Sequence, residues 1–211
     1  MAELQNARAI PAKRMEGRRA FVTGGGSGIG KATAIRLAAE GASVAIADIR
    51  GDSAAAVAAD IEAGGGTAIG VETDIASEAS IEAGVSEAVR AFGGLDAVFA
   101  NAGTAGSGWL HETTLDDWET VIRVNLTGTF LTAKHTIPHL LTNGGGAIVT
   151  TGSISSQIIA LGGAAASYAA SKGGVLQLTK AIAVDYGPQG IRANCLCPGV
   201  VRTRLAHHVR A

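Results

Sequence analysis

The sequence predicts a single α/β domain built on a doubly wound parallel sheet, and three observations predict it. Short apolar, β-rich runs alternate strictly with longer Ala-rich helical stretches, the order that covers both faces of a parallel sheet with helices. Runs such as Val44-Ala-Ile-Ala47 are apolar throughout, as strands buried on both faces require. Glycines follow the helical stretches at Gly41, Gly64 and Gly187, where helices end.

The elements follow in order. Arg19–Thr23 reads as the first strand and runs into a glycine string, after which the small and aliphatic residues of Ile29–Glu40 form a helix. Ser43–Asp48 is a doubly buried strand and Ser53–Ala63 a helix rich in alanine, the best helix former. Thr67–Glu72 is the third strand, followed by a helix over Ile81–Phe92 and a short strand at Ala97–Ala100. Thr114 is placed to cap a long helix over Leu115–Leu141. The strand Ala147–Thr151, a helix over Ser167–Asp185 and the strand Arg192–Leu196 complete the alternation. Residues 1–17 read as a tail and residues 18–211 as the domain.

Composition narrows the function. A chain of 211 residues, 47% hydrophobic, is long enough to bury a substantial core. Its net charge of −1 supplies no field for a polyanion, so nucleic acid is not the expected partner. Lys13, Arg14, Arg18 and Arg19 form the one basic cluster, expected to be a solvated lead-in to the first strand. Neither a signal peptide nor a membrane span is expected. Cys195 and Cys197 are the only cysteines. They are expected to point to opposite faces of their strand and to stay reduced, which implies a cytoplasmic home.

The string Thr23-Gly-Gly-Gly-Ser-Gly-Ile-Gly30 lies between strand and helix, the setting of a phosphate-binding turn. Gly24, Gly28 and Gly30 leave room for an anion, and the helix beginning near Ile29 offers it free amides and a positive dipole end. Gly25 to Lys31 also matches an ATP-type phosphate loop, but Ala32 stands where that loop needs a magnesium-binding hydroxyl. Asp48 ends the second strand 18 positions after Gly30, close to the spacing of a carboxylate that accepts from a ribose 2′-hydroxyl. Neither Ser27 nor Ile49 supplies a cation for a 2′-phosphate, so NAD is expected over NADP; Arg50 is the nearby cation that weighs against this.

Tyr168 and Lys172 are four apart in a helical stretch and share a face. A free phenol is a poor base at neutral pH, and an adjacent ammonium favours its phenolate. The pair follows a strand ending in Thr150-Thr-Gly-Ser153, whose loop falls at the carboxyl edge of the sheet, where this architecture binds ligands.

With these motifs in place, the chain resembles the short-chain dehydrogenase/reductase family, in its compact single-domain branch, from Gly24 to Thr203. The resemblance implies a Rossmann-type fold with Gly24, Ser27, Gly28, Ile29, Gly30 and Asp48 at the cofactor. Asp74 and Ile75 are then expected against the adenine, and Asn101, Ala102 and Gly103 support the sheet beside the cofactor. Pro198, Gly199, Val201 and Thr203 match the segment that receives the nicotinamide carboxamide. Asn125, Ser153, Tyr168 and Lys172 match the catalytic tetrad. The implied reaction moves a hydride between nicotinamide and a secondary alcohol or its ketone. Tyr168 is the expected acid/base, Ser153 a donor to the substrate oxygen, and Lys172 the residue that holds the ribose. Asn125 is expected to position a water by locally loosening its helix. A homodimer or homotetramer is implied through the last two helices.

Two departures stand out. The gap from Ser153 to Tyr168 is 15 positions, and Ser155 fits the family's customary spacing better; Ser153 is preferred because it directly follows the strand and Gly152, with Ala160–Ala166 absorbing the difference. The chain also stops at Ala211, where relatives continue into a substrate lid and a last strand. A truncated chain or a shortened protein with an open site both remain, and so does the alternative of a dinucleotide-binding protein with little turnover. The substrate and the direction of reaction are not legible. His135 and His139 are four apart without a third ligand, Pro138 is expected to interrupt their helix, and His111-Glu112 lacks the second histidine of a zinc-protease motif. Trp109 and Leu110 are read equally as pocket lining or as loop anchors.

Overall fold

The computed structural model describes residues 13–106, 108–159 and 166–203. Its strands are β1 (Arg19–Thr23), β2 (Ser43–Asp48), β3 (Thr67–Glu72), β4 (Ala97–Ala100), β5 (Gly146–Thr151) and β6 (Ile191–Leu196). The helices are α1 (Gly28–Ala39), α2 (Gly51–Ala63), α3 (Glu78–Phe92), α4 (Leu115–Ile122), α5 (Gly128–Thr142) and α6 (Ala166–Tyr186). All strand pairs are parallel, in the order β3-β2-β1-β4-β5-β6.

Alternation along the strands builds two cores. Phe21, Ala45, Val98 and Ile148 face one layer with Ile81 and Val85 of α3, Leu131 and Leu140 of α5 and Ile182 of α6. Ala20, Val22, Val44, Ile46 and Phe99 face the other with Ala34 of α1 and Val57 and Ile61 of α2. At Gly70 of β3 an added Cβ would lie 2.5 Å from the Ala55 nitrogen, so α2 rests on the strand backbone itself. The strand order reverses between β1 and β4, which opens a crevice beyond their carboxyl ends.

Thr114 caps α4, its side chain accepting from the Asp117 amide at 3.1 Å. The helix expected over Leu115–Leu141 is divided: α4 passes into a π-helical segment, Arg123–Thr127, and then into α5. Pro138 lies inside α5, which continues through it, so the expected interruption is corrected. Lys13, Arg14 and Arg18 of the basic lead-in are exposed, Arg19 is half-buried, and the arginines are paired. Arg18 and Arg19 reach Asp96 at 3.4 and 2.7 Å, and Arg14 and Arg36 converge on Glu40, which is 2% exposed. Those two guanidiniums hold the Glu40 carboxyl down to about 2, with the Arg14 hydrogen bond as the main cause. Among the described residues no helix is long and apolar enough to cross a membrane.

Candidate active site

The glycine turn has the backbone its spacing implies. Gly24 and Gly28 have φ of +63° and +54°, where L side chains are strained. A Cβ on Gly30 would lie 2.1 Å from the Gly24 carbonyl oxygen, so only glycine lets α1 begin this close to β1. Ser27 precedes α1 in an extended conformation and its side chain caps no amide; the first N–H groups of the helix are left for another acceptor. Asp48, 7% exposed, accepts from the Gly26 amide at 2.9 Å and the Arg50 amide at 3.1 Å. The Arg50 side chain lies 3.8 Å from the same carboxylate. Uncapped amides, a side-chain-free turn and a fixed carboxylate together suit a dinucleotide: its phosphates at Gly24–Gly30 and a ribose at Asp48.

The crevice is closed on its far side by Asn101-Ala-Gly103. Thr23 Oγ1 accepts from the Asn101 and Ala102 amides at 3.0 and 3.2 Å, and Asn101 Nδ2 donates to the Thr23 carbonyl. Thr151 Oγ1 then donates to Asn101 Oδ1 at 3.2 Å, so β1, β4 and β5 end in one network. Asp74 accepts from the Ala76 amide at 2.9 Å. Ile75 is buried in the core, with its side chain against Gly128. Thr203 comes back over the turn, its methyl 3.3 Å from where a Gly28 Cβ would be. The preceding Val200 is exposed.

Three members of the expected tetrad meet at one loop. Asn125 is fully buried in the π segment, where the chain loosens as expected. Its Oδ1 accepts from the Thr104 amide at 2.7 Å, and its Nδ2 donates to the Thr104 carbonyl and to Ser171 Oγ, both at 3.0 Å. A Cβ on Gly103 would lie 3.0 Å from Asn125 Oδ1 and 3.3 Å from Lys172 Nζ, while one on Gly106 would lie 3.6 Å from the Tyr168 Cβ. Lys172 is 3% exposed, donates to the Thr151 carbonyl at 2.7 Å and sits 5.7 Å from the centre of the Tyr168 ring. Burial pushes its ammonium down to about 8, against a smaller opposing effect of Cys195 and Cys197.

Ser153 directly follows β5 and Gly152, is 7% exposed, and opens a 3-10 turn, Ile154–Ser156. Its Oγ accepts from the Ser155 amide at 3.1 Å, which leaves its hydroxyl proton for another acceptor. Ser155 is inside that turn. Ser156 accepts from the Ser153 amide at 3.1 Å and donates to the Lys172 carbonyl at 2.8 Å, joining the serine turn to α6. Residues 160–165, to which the unusual spacing was assigned, lie outside the described residues.

Three supporting groups escape a motif-level reading. Ser171 donates to the Tyr168 carbonyl at 2.7 Å while receiving Asn125; its place three after Tyr168 was the available signal. Thr104 holds Asn125 through backbone alone, and Ser156 looks like any loop serine in sequence. Cys195 and Cys197 correct an expectation. Residues two apart in a strand share a face, and their sulfurs lie 4.0 Å apart. His135 faces Glu78 at 3.1 Å, and among the described residues no three ligating side chains cluster. Trp109 and Leu110 are largely exposed.

Comparison with known proteins follows the same outline. The family model described as short chain dehydrogenase matches residues 18–211. The chain is 42% identical over 194 residues to a 2,5-dichloro-2,5-cyclohexadiene-1,4-diol dehydrogenase of Sphingobium indicum, covering 90% of this chain and 75% of that one. It is 40% identical over 197 residues to a cyclohexanol dehydrogenase of Acinetobacter sp., covering 93% and 78%. The crystal structure of a short-chain type dehydrogenase/reductase from Mycobacterium marinum superposes with a TM-score of 0.90 at 34% identity, covering 92% of this chain and 77% of that one.

Proposed function

This chain belongs to the short-chain dehydrogenase/reductase family, whose Rossmann-type sheet binds a nicotinamide dinucleotide, and on that premise we propose that it is an NAD-dependent oxidoreductase of secondary alcohols and their ketones. The observation that carries the reading is the meeting of Asn125, Tyr168 and Lys172 around Gly103–Gly106, beside the Ser153 turn and at the carboxyl edge of the sheet. The names of the two similar dehydrogenases, one for a cyclic alcohol and one for a cyclic diol, support a cyclic secondary alcohol or diol as the first class to test.

The nicotinamide, when bound, supplies the hydride acceptor or donor. The residues of the chain do the rest. Tyr168 takes or gives the proton at the substrate oxygen. Ser153 donates its free hydroxyl proton to that oxygen. Lys172 keeps a cation near the phenol, where it stabilises charge developing as the proton moves. Asn125 holds the Thr104 backbone and Ser171, and through them the spacing between the loop and the tyrosine helix. Preference for NAD rests on Asp48: a 2′-phosphate would approach a carboxylate oriented by two amides, and Arg50 is turned toward that carboxylate. Exposed Phe130 on α5 and Val184 on α6 support association of identical chains through these helices.

The test is reduction of NAD and of NADP by the purified chain across a panel of cyclic alcohols and diols, with Tyr168→Phe beside it. Tyr168→Phe is expected to cost about 10²–10⁴ in turnover while NADH still binds with nearly unchanged affinity. Near-normal turnover in the variant, or faster reaction with NADP, overturns the corresponding part of the reading.

A further inference from the structure

Behind the Ser153 turn lies a feature the proposed reaction does not use. Cys195 of β6 is in register with Thr150 of β5, and Cys197 follows β6 by one residue. Both are free and half-buried, with their sulfurs 4.0 Å apart. They fit there because residue 152 has no side chain: a Cβ on Gly152 would lie 2.7 Å from Cys195 Sγ and 3.1 Å from Cys197 Sγ. The sulfurs therefore rest on the backbone between Thr151, which receives Lys172 Nζ, and Ser153. Backbone hydrogen bonds bracket Cys197 on both sides. Gly152 donates to the Leu196 carbonyl at 2.8 Å, and Ile154 donates to the Pro198 carbonyl at 3.1 Å.

We propose that Cys195 and Cys197 are an oxidisable dithiol, closed to a disulfide by a peroxide, and that closure displaces the Ser153 turn. A disulfide holds its sulfurs about 2.05 Å apart, so the pair must approach by roughly 2 Å. Cys197 cannot move without drawing on Leu196 and Pro198, and those residues hold Gly152 and Ile154 on either side of Ser153. The chemistry balances. The Cys195 thiolate attacks one peroxide oxygen, the O–O bond breaks, and the departing hydroxide leaves as water once protonated. Cys197 sulfur then attacks the resulting sulfenic acid, the S–O bond breaks, and a second water departs with the Cys197 proton. Two thiols lose two electrons and the peroxide gains them. Burial, and then Cys195, pushes the Cys197 thiol up, which suits Cys197 to the second, resolving step.

Closure stands on geometry alone; its effect on turnover rests on the role proposed for Ser153. These cysteines are the only two in the chain, so thiol titration reads them directly. Hydrogen peroxide is expected to remove both thiols together, with an intact-mass loss of two hydrogens that a dithiol reductant reverses. Amide exchange over residues 152–157 is expected to change in the oxidised protein, and turnover to fall on the order of 10–100-fold, the scale of an active-site group misplaced by about 1 Å. Cys195→Ser is expected to keep its basal turnover and to be insensitive to the same treatment. Oxygen adducts without paired loss, disulfides between chains, closure with unchanged exchange, or equal sensitivity of Cys195→Ser each overturn the proposal. A protein that closes its disulfide, changes its exchange and turns over no alcohol counts against the functional reading and leaves the dithiol standing.

Discussion

Lys172 is held buried beside Tyr168 at a cost in stability. Its ammonium is buried with one carbonyl partner, and burial brings it down from an ordinary 10.5 to about 8. Below pH 8 both folded and unfolded chains carry the proton, and the folded state bears the full cost of burying it. Between about 8 and 10.5 the folded chain releases the proton first, the unfolded chain binds more, and stability therefore rises with pH. Lys172→Met is expected to be inactive yet more stable at pH 7, by about 1–3 kcal/mol. That advantage should shrink as pH climbs from 8 towards 10.5. Melting temperatures of both proteins across this range check it; a difference that stays flat would mean that Lys172 does not titrate there.

At the scale of elements, the junction of α4 and α5 matters most. A regular helix would hold the Asn125 carbonyl in the ordinary i→i−4 ladder; here the backbone takes the wider π turn and the side-chain amide meets Thr104 and Ser171. Thr129 Oγ1 covers the Asn125 carbonyl at 2.7 Å. Asn125→Ala would strip partners from the Thr104 amide and carbonyl together. We expect a loss of about 1–3 kcal/mol, read as a lower denaturation midpoint, along with slower turnover. An unchanged midpoint would show that water replaces the amide without cost, and that the segment is held by packing alone.

Across the whole molecule, the entry of the chain is fastened to the far end of α1 through Glu40. Arg14 and Arg36 hold its carboxylate from either side, and the Met15 amide bonds to its carbonyl at 2.9 Å. Because the folded carboxyl sits near 2, against an ordinary value of 4.5, its contribution is complete above about pH 4.5 and is lost as pH falls towards 2. Glu40→Gln is expected to be less stable at pH 7 and to show a shallower acid limb, the two proteins converging at low pH. Acid titrations followed by circular dichroism would reveal parallel limbs if Glu40 were merely a packed side chain.

The sheet, its parallel sense and the glycine turn were legible in the sequence because each rests on local chemistry. Alternating apolar runs and Ala-rich stretches allow little else, and Gly24, Gly28 and Gly30 mark a turn that a side chain would fill. Tyr168 and Lys172 were legible as a pair because helical spacing alone puts them on one face. What only the tertiary structure decided are contacts between residues distant in the chain. Asn125 meets Thr104 and Ser171, Ser156 ties Ser153 to α6, and Arg14 finds Glu40, none of them set by spacing or composition. The two sulfurs behind Gly152 belong there too. Cys197 lies just past β6, and only the packing of this chain end against β5 brings both sulfurs over a residue with no side chain, where they touch.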